Sequence, residues 1–209
     1  MPWPYVTLFR FKMFNSKKEL LEKCNFLFFF NANTLFIDYV GEEVLPGPDN
    51  SGLVAATSNP FVFARNKREW TYDRNPESLA FVPYDKGDFY FRGSFNGGTS
   101  QAYLKMSDTL DRRIQKDLEK NVIALWHDES HLNRYFMDAS PPPLVLDPGY
   151  AYGEQWPGQQ KLIKPLIVMR DKAKMFGSLE VLRGIEVREK SSNKLINYYR
   201  RLQQFFRNG

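Results

Sequence analysis

An α/β fold, with a mixed sheet flanked by helices, is what this sequence predicts, and three observations predict it. Apolar runs of strand length occur at 26–30 ("FLFFF") and within 53–64 ("LVAATSNPFVFA"). An amphipathic stretch of helical period lies at 100–121. Strand and helix patterns alternate along the chain and do not segregate into blocks. The chain has 209 residues, enough for one domain with its own core.

Composition narrows the class. Apolar residues make up 43% and aromatic residues 16%, which is globular and not disordered. The longest apolar run is far too short to span a bilayer. No basic, apolar, small-residue leader pattern opens the chain. Cys24 is the single cysteine, so no internal disulfide can form, which fits a reducing compartment. The net charge of +5 points to an acidic partner such as phosphate, nucleic acid or anionic lipid.

The elements follow in order. Val6, Phe9, Met13 and Phe14 recur at helical spacing and predict one helix from about Val6 to Cys24. Phe26 to Phe30 reads as a strand covered on both faces. Residues 45–52, "LPGPDNSG", form a turn cluster. Residues 78–98 read as two strands around Asp85-Lys86-Gly87, the second ended by Gly97-Gly98. Leu104, Leu110, Ile114 and Leu118 share one face of the helix at 100–121. Residues 121–138 read as a short strand and then a helix. Residues 140–160 form a Pro/Gly-rich loop around a short strand, and 161–174 a strand followed by a basic run. No internal repeat is present. The tail at 191–209 carries Leu195, Tyr198, Tyr199, Leu202, Phe205 and Phe206 at helical spacing, beside Lys194, Arg200, Arg201 and Arg207. Such a basic amphipathic helix can lie on an anionic membrane or dock on its own domain. The expected units are 1–184 as one domain and 185–209 as this tail.

The densest chemical cluster is "LWHDESHLNRYF" at 125–136. His127 and His131 stand four apart, as zinc ligands on a helix can, but the zincin pattern needs Glu directly after the first His and no third ligand stands out. A second reading makes Asp128 the cap of a helix whose Leu132, Tyr135 and Phe136 enter the core. A third makes Glu129 a catalytic carboxylate at the carboxyl edge of the sheet, where α/β folds hold ligands. Asn31-Ala32-Asn33 ends the strand at 26–30. Aspartates there would suit Mg²⁺ or Mn²⁺, whereas Asn keeps an acceptor, loses the charge and adds a donor for phosphate or sugar hydroxyls. A strand-to-turn Asx motif is the competing reading.

"WHDESHLNRYF", "EWTYDRNPES", "GDFYFRGSFNGG" and the strand-end triplet occur in the order found in family-6 glycosyltransferases, and from Trp3 to Arg183 the chain resembles that family. The resemblance implies a GT-A type fold, Rossmann-like, with a UDP-sugar donor and retention of the α configuration. Animal members carry Asp-x-Asp with Mn²⁺ where this chain has Asn31-Ala32-Asn33. Bacterial members with Asn-x-Asn are understood to work without metal, so no cofactor is expected here. Glu129 matches the glutamate beneath the donor sugar, as nucleophile or stabiliser of an oxocarbenium-like centre. Asp128 matches a contact to donor hydroxyls. Trp126, with His127 and Glu129, matches the acceptor side. Val6 and Arg10 match donor contacts. Arg170, Lys172 and Lys174, with Arg183 as a further candidate, match the basic segment that closes over the diphosphate. Arg92-Gly93-Ser94 matches the triplet that sets donor choice. Glycine at its third position accompanies GalNAc and alanine accompanies Gal, and the bulk of Ser94 is nearer alanine.

The resemblance also implies a preceding segment, with a first strand and a uracil-stacking aromatic, which this chain starts after. The expected function is metal-independent transfer of Gal or GalNAc from a UDP-sugar to a plain or fucosylated β-galactoside on a glycan or glycolipid. The expected place is cytoplasmic, or peripheral at the inner face of a membrane. A truncated remnant that binds glycans or membranes is the alternative, and a nucleic-acid role has no motif behind it.

Overall fold

A computed structural model describes residues 3–58, 67–155 and 163–184. Three short helices come first: α1 (Tyr5–Leu8), α2 (Arg10–Asn15) and α3 (Lys18–Leu21). Strands β1 (Phe26–Phe30), β2 (Thr34–Phe36), β3 (Leu53–Thr57) and β4 (Phe91–Thr99) follow. Then come α4 (Ser100–Glu119), α5 (Asp128–Asp138), β5 (Leu144–Leu146), β6 (Tyr152–Gly153), β7 (Ile167–Met169), α6 (Lys172–Phe176) and α7 (Leu179–Leu182). The main sheet runs β1-β4-β3-β5, with β4 antiparallel to both neighbours and β5 parallel to β3. A smaller sheet runs β2-β7-β6.

The core has two layers. Leu53, Ala55 and Phe91 face Phe11, Met106, Leu110 and Leu132 from the helices. Val54, Ala56 and Phe95 face Tyr150, Ile167 and Met169 on the other side. Every residue of β3 is therefore buried, as a strand covered on both faces requires. β1 is different. It lies at the end of the sheet order and is only half-buried, with Phe26 exposed, so the two-sided cover expected of "FLFFF" belongs to β3.

Several expected elements are corrected. The helix expected from Val6 to Cys24 is three pieces, broken where Phe9 (φ −90°, ψ 8°) and Lys17 (φ −115°, ψ 18°) leave the helical region. The break changes which face is buried: Leu8 and Phe11 enter the core while Val6 and Met13 are exposed. Residues 78–98 hold one strand and not two. Residues 79–83 are not strand, and β4 runs through Gly97-Gly98 to Thr99. Those glycines let neighbours close in. A Cβ on Gly97 would stand 2.4 Å from the Phe28 ring, and one on Gly98 would stand 2.3 Å from the Gly52 carbonyl. No strand forms at 121–126; Asn121 turns at φ 58° and the segment is loop. The basic run after β7 starts a helix, α6, with Asp171 accepting from Ala173 and Lys174 backbone N–H groups. The tail at 185–209 lies outside the described residues, as do 59–66 and 156–162.

The sheet gathers the functional edge. Antiparallel pairing of β1 with β4 brings the end of β1 beside the start of β4, where the Asn31 N–H donates to the Ser94 carbonyl at 3.1 Å. The Asn133 amide then pins α5 to that strand. Its oxygen accepts from Phe91 N–H at 2.8 Å and its nitrogen donates to the Phe91 carbonyl at 2.9 Å. Replacing Gly97 by Ala overfills the Phe28 contact and is expected to lower unfolding stability by about 1–3 kcal/mol. Urea titration checks this; a loss under ~0.5 kcal/mol would mean that Phe28 moves freely.

Candidate active site

Around this edge lies a cleft of about 440 Å³. It draws Val6 and Arg10 from α1 and α2, Asn31 from the end of β1, Arg92, Gly93 and Ser94 from β4, and Lys172 from α6. The turn into α5 adds Trp126, His127, Asp128 and Glu129. Trp3, Thr7, Met13 and Phe29 complete the wall.

The turn is held by backbone conformation. His127, and not Asp128, is the N-cap residue of α5, and it makes no side-chain cap bond. It adopts φ 53° and ψ −122°, a conformation that costs a non-glycine residue about 1–3 kcal/mol. The Trp126 N–H donates to Ser130 Oγ at 2.9 Å. This bend sends Trp126, half exposed, and His127 into the cleft together. His131 goes elsewhere. It is buried, with Nε2 3.5 Å from Asp117, and burial lowers its imidazole to about 4, so it is neutral at ordinary pH. Two histidines so placed do not share a ligand.

Both oxygens of Glu129 are held. The Gly93 N–H donates to Oε2 at 2.6 Å and the Tyr90 hydroxyl donates to Oε1 at 2.8 Å. A Cβ on Gly93 would stand 3.0 Å from Glu129, so a side chain there would have to push Glu129 aside by a few tenths of an ångström. Asp128 is buried and ion-paired with Arg10 Nε at 2.9 Å. Burial raises its carboxyl above the ordinary range, and Arg10 pulls it back. Arg10 is itself buried. Its Nη1 donates to the Gly93 carbonyl at 3.0 Å, and its guanidinium sits 4.3 Å over the Phe29 ring. Nη2 has no hydrogen-bond partner among the described residues.

Cations define one side of the cleft. The Lys172 ammonium is lowered by burial, while Asp128 raises it. Arg92 is close enough to Lys172 for the two charges to act on each other. Arg170 and Lys174 do not line the cleft; Arg170 is exposed and passes Asn33 along its backbone. Arg183 lies over the Trp3 ring at 4.7 Å, and Trp3 meets His127 edge-on at 4.8 Å. Ser94 lines the cleft with a buried hydroxyl that has no hydrogen-bond partner among the described residues.

The strand-end triplet divides. Asn31 faces the cleft, whereas Ala32 and Asn33 do not line it. Asn33 is buried and donates from Nδ2 to the Arg170 carbonyl at 2.5 Å. A Mn²⁺ site of the Asp-x-Asp kind does not fit these residues, because the triplet carries no carboxylate and its second amide is turned into the β2–β7 junction. Among the described residues, no cluster of three or more His, Cys, Asp or Glu side chains is placed to hold a metal ion.

Sequence reasoning missed Trp3, Tyr90 and Asn133. Trp3 stands between two prolines, in "PWPY", and that was its only signal. Tyr90 and Asn133 carry no local sequence signal, because the partners that give them a role are distant along the chain.

A mixed sheet with helices on its faces, and a carboxylate, an indole and cations gathered at its edge, defines a GT-A type protein. A family model described as "Glycosyltransferase family 6" matches residues 1–177, and the chain belongs to that family. It is 29% identical over 174 residues to the histo-blood group ABO system transferase 2 of Rattus norvegicus, covering 81% of this chain and 50% of that protein. It is 31% identical over 170 residues to the O-antigen biosynthesis glycosyltransferase WbnI of Escherichia coli, covering 81% of this chain and 69% of that protein. The globoside alpha-1,3-N-acetylgalactosaminyltransferase 1 of Mus musculus is 30% identical over 162 residues, covering 77% and 45%. The chain spans about half the length of the mammalian relatives it matches.

The Arg10–Asp128 pair yields a pH-dependent prediction. Burial raises the Asp128 carboxyl, so the folded state keeps its proton at pH values where the unfolded chain has lost it, and stability falls as pH rises through that window. Removing Arg10 extends the window upward. Arg10→Met is expected to cost about 3–5 kcal/mol near neutral pH, and less on acidification toward the ordinary carboxylate range. Urea unfolding across a pH series measures it; a loss independent of pH would mean that Asp128 does not carry the effect.

Proposed function

We propose that this chain is a retaining α-1,3-glycosyltransferase that moves Gal or GalNAc from a UDP-sugar to a β-galactoside, plain or fucosylated. The observation that carries the reading is the Glu129 carboxylate, fixed at both oxygens in a cleft that also holds Trp126, Arg92 and Lys172. In transfer, the bond from the anomeric carbon to the diphosphate breaks, and its electron pair leaves on UDP. The acceptor hydroxyl oxygen bonds to that carbon on the same face, and its proton leaves with the diphosphate. Glu129 serves from the opposite face, as nucleophile or as stabiliser of the positive centre. Trp126 offers an indole to the apolar face of the acceptor sugar.

Charge on the leaving diphosphate needs a counter-charge, and we assign it to Lys172, with Arg92 beside it. The uncharged triplet and the inward turn of Asn33 support a reaction without a metal ion. Ser94 fills space at the donor pocket and favours Gal over GalNAc. The name of the O-antigen relative supports a surface glycan as the product. The basic, aromatic tail sequence supports contact with an anionic membrane surface on the cytoplasmic side. A module that binds glycans or membranes without transferring a sugar is the reading this proposal competes with.

Transfer from UDP-Gal and UDP-GalNAc is to be measured in excess EDTA. Activity there is expected, and a requirement for manganese would overturn the metal-free part. Glu129→Gln is expected to lower kcat by about 10²-fold or more, and transfer that survives it would remove Glu129 from the chemistry. Lys172→Ala is expected to raise the donor KM by about tenfold, read from initial rates. A KM unchanged from wild type would leave the diphosphate without its assigned partner.

A further inference from the structure

We propose that Tyr90 positions Glu129, its phenol being a fixed hydrogen-bond donor that holds one carboxylate oxygen while the Gly93 N–H holds the other. The inference rests on the transfer reading above. Three observations carry it. The Tyr90 hydroxyl lies 2.8 Å from Oε1 of Glu129, opposite the 2.6 Å bond from Gly93. Tyr90 is 4% exposed and does not line this cleft but a separate cavity beside Trp70 and Phe89, so its contact with the cleft runs through Glu129. Its ring is fixed from two sides, stacked on Trp70 at 5.8 Å and 6° and packed on Tyr72 at 5.3 Å.

The phenol is also a dependable donor. Burial, and then the Glu129 charge, raise it far above its ordinary value, so it keeps its proton throughout the working range. A hydrogen bond with the Thr71 side chain offsets part of that rise. The next residue, Phe91, is clamped at both backbone groups by Asn133 of α5, the helix that carries Glu129. Donor and acceptor are thus tied to one frame. A carboxylate held at one oxygen can rotate; one held at both presents a single orientation to a reacting carbon.

Tyr90→Phe keeps the ring and removes the hydroxyl. Its kcat is expected to fall by about tenfold, with donor KM within about twofold and an unchanged Tm. Its crystal structure is expected to show the Glu129 carboxylate rotated away from the Gly93 N–H. Glu129 found unmoved, or a kcat near wild type, overturns the proposal. So does a raised KM with kcat kept, which would make Tyr90 a substrate contact. If the wild type transfers neither sugar while Tyr90→Phe still displaces Glu129, the transfer reading falls and the positioning role stands. Should Tyr90→Phe fail to fold, 3-fluorotyrosine at position 90 retains the packing and alters the donor strength. It must then change kcat at constant KM, and no change overturns the proposal.

Discussion

The site is organised around the Arg10 guanidinium. One buried group reaches the Asp128 carboxylate on α5, the Gly93 carbonyl on β4 and the Phe29 ring on β1. Without it three elements would converge on an uncompensated buried acid, which is far costlier than a missing surface charge. The resemblance cast Arg10 as a contact to the donor. Geometry gives it an earlier task, building the floor of the cleft from three elements. Its Nη2 is buried as well and has no hydrogen-bond partner among the described residues.

Charges in the cleft are graded by their surroundings. Asp128 is buried against a cation, while Glu129 is held by neutral donors, one from the backbone and one from a phenol. Two adjacent carboxylates thereby receive unlike environments, as sites that use acids for different tasks often do. Lys172 is lowered by burial, and the Asp128 charge acts against that lowering.

How much of this was legible depended on the kind of signal. β3, α4 and α5 were readable because apolar period and strand length agreed. The string "WHDESHLN" located the carboxylates because it is long and specific. The amino-terminal helices were misread because a regular apolar spacing hid two breaks at ordinary residues, Phe9 and Lys17, where no Gly or Pro announces a stop. Gly97-Gly98 was misread as a strand end. Its glycines serve close approach of Phe28 and Gly52 within the sheet, and a single sequence cannot separate that use from a turn. Tyr90 and Asn133 act through partners 39 and 42 positions away, and no local pattern records such a partner.

The Asn33 amide bears on which side chains the end of β1 can accept. Its nitrogen is a donor to the Arg170 carbonyl, at the seam between β2 and β7. A carboxylate at the same position would bring oxygen against oxygen in a buried place. An aspartate at position 33 would therefore cost stability at the seam whatever it offered a ligand. One buried amide bond in this way decides which residue types the end of β1 can carry.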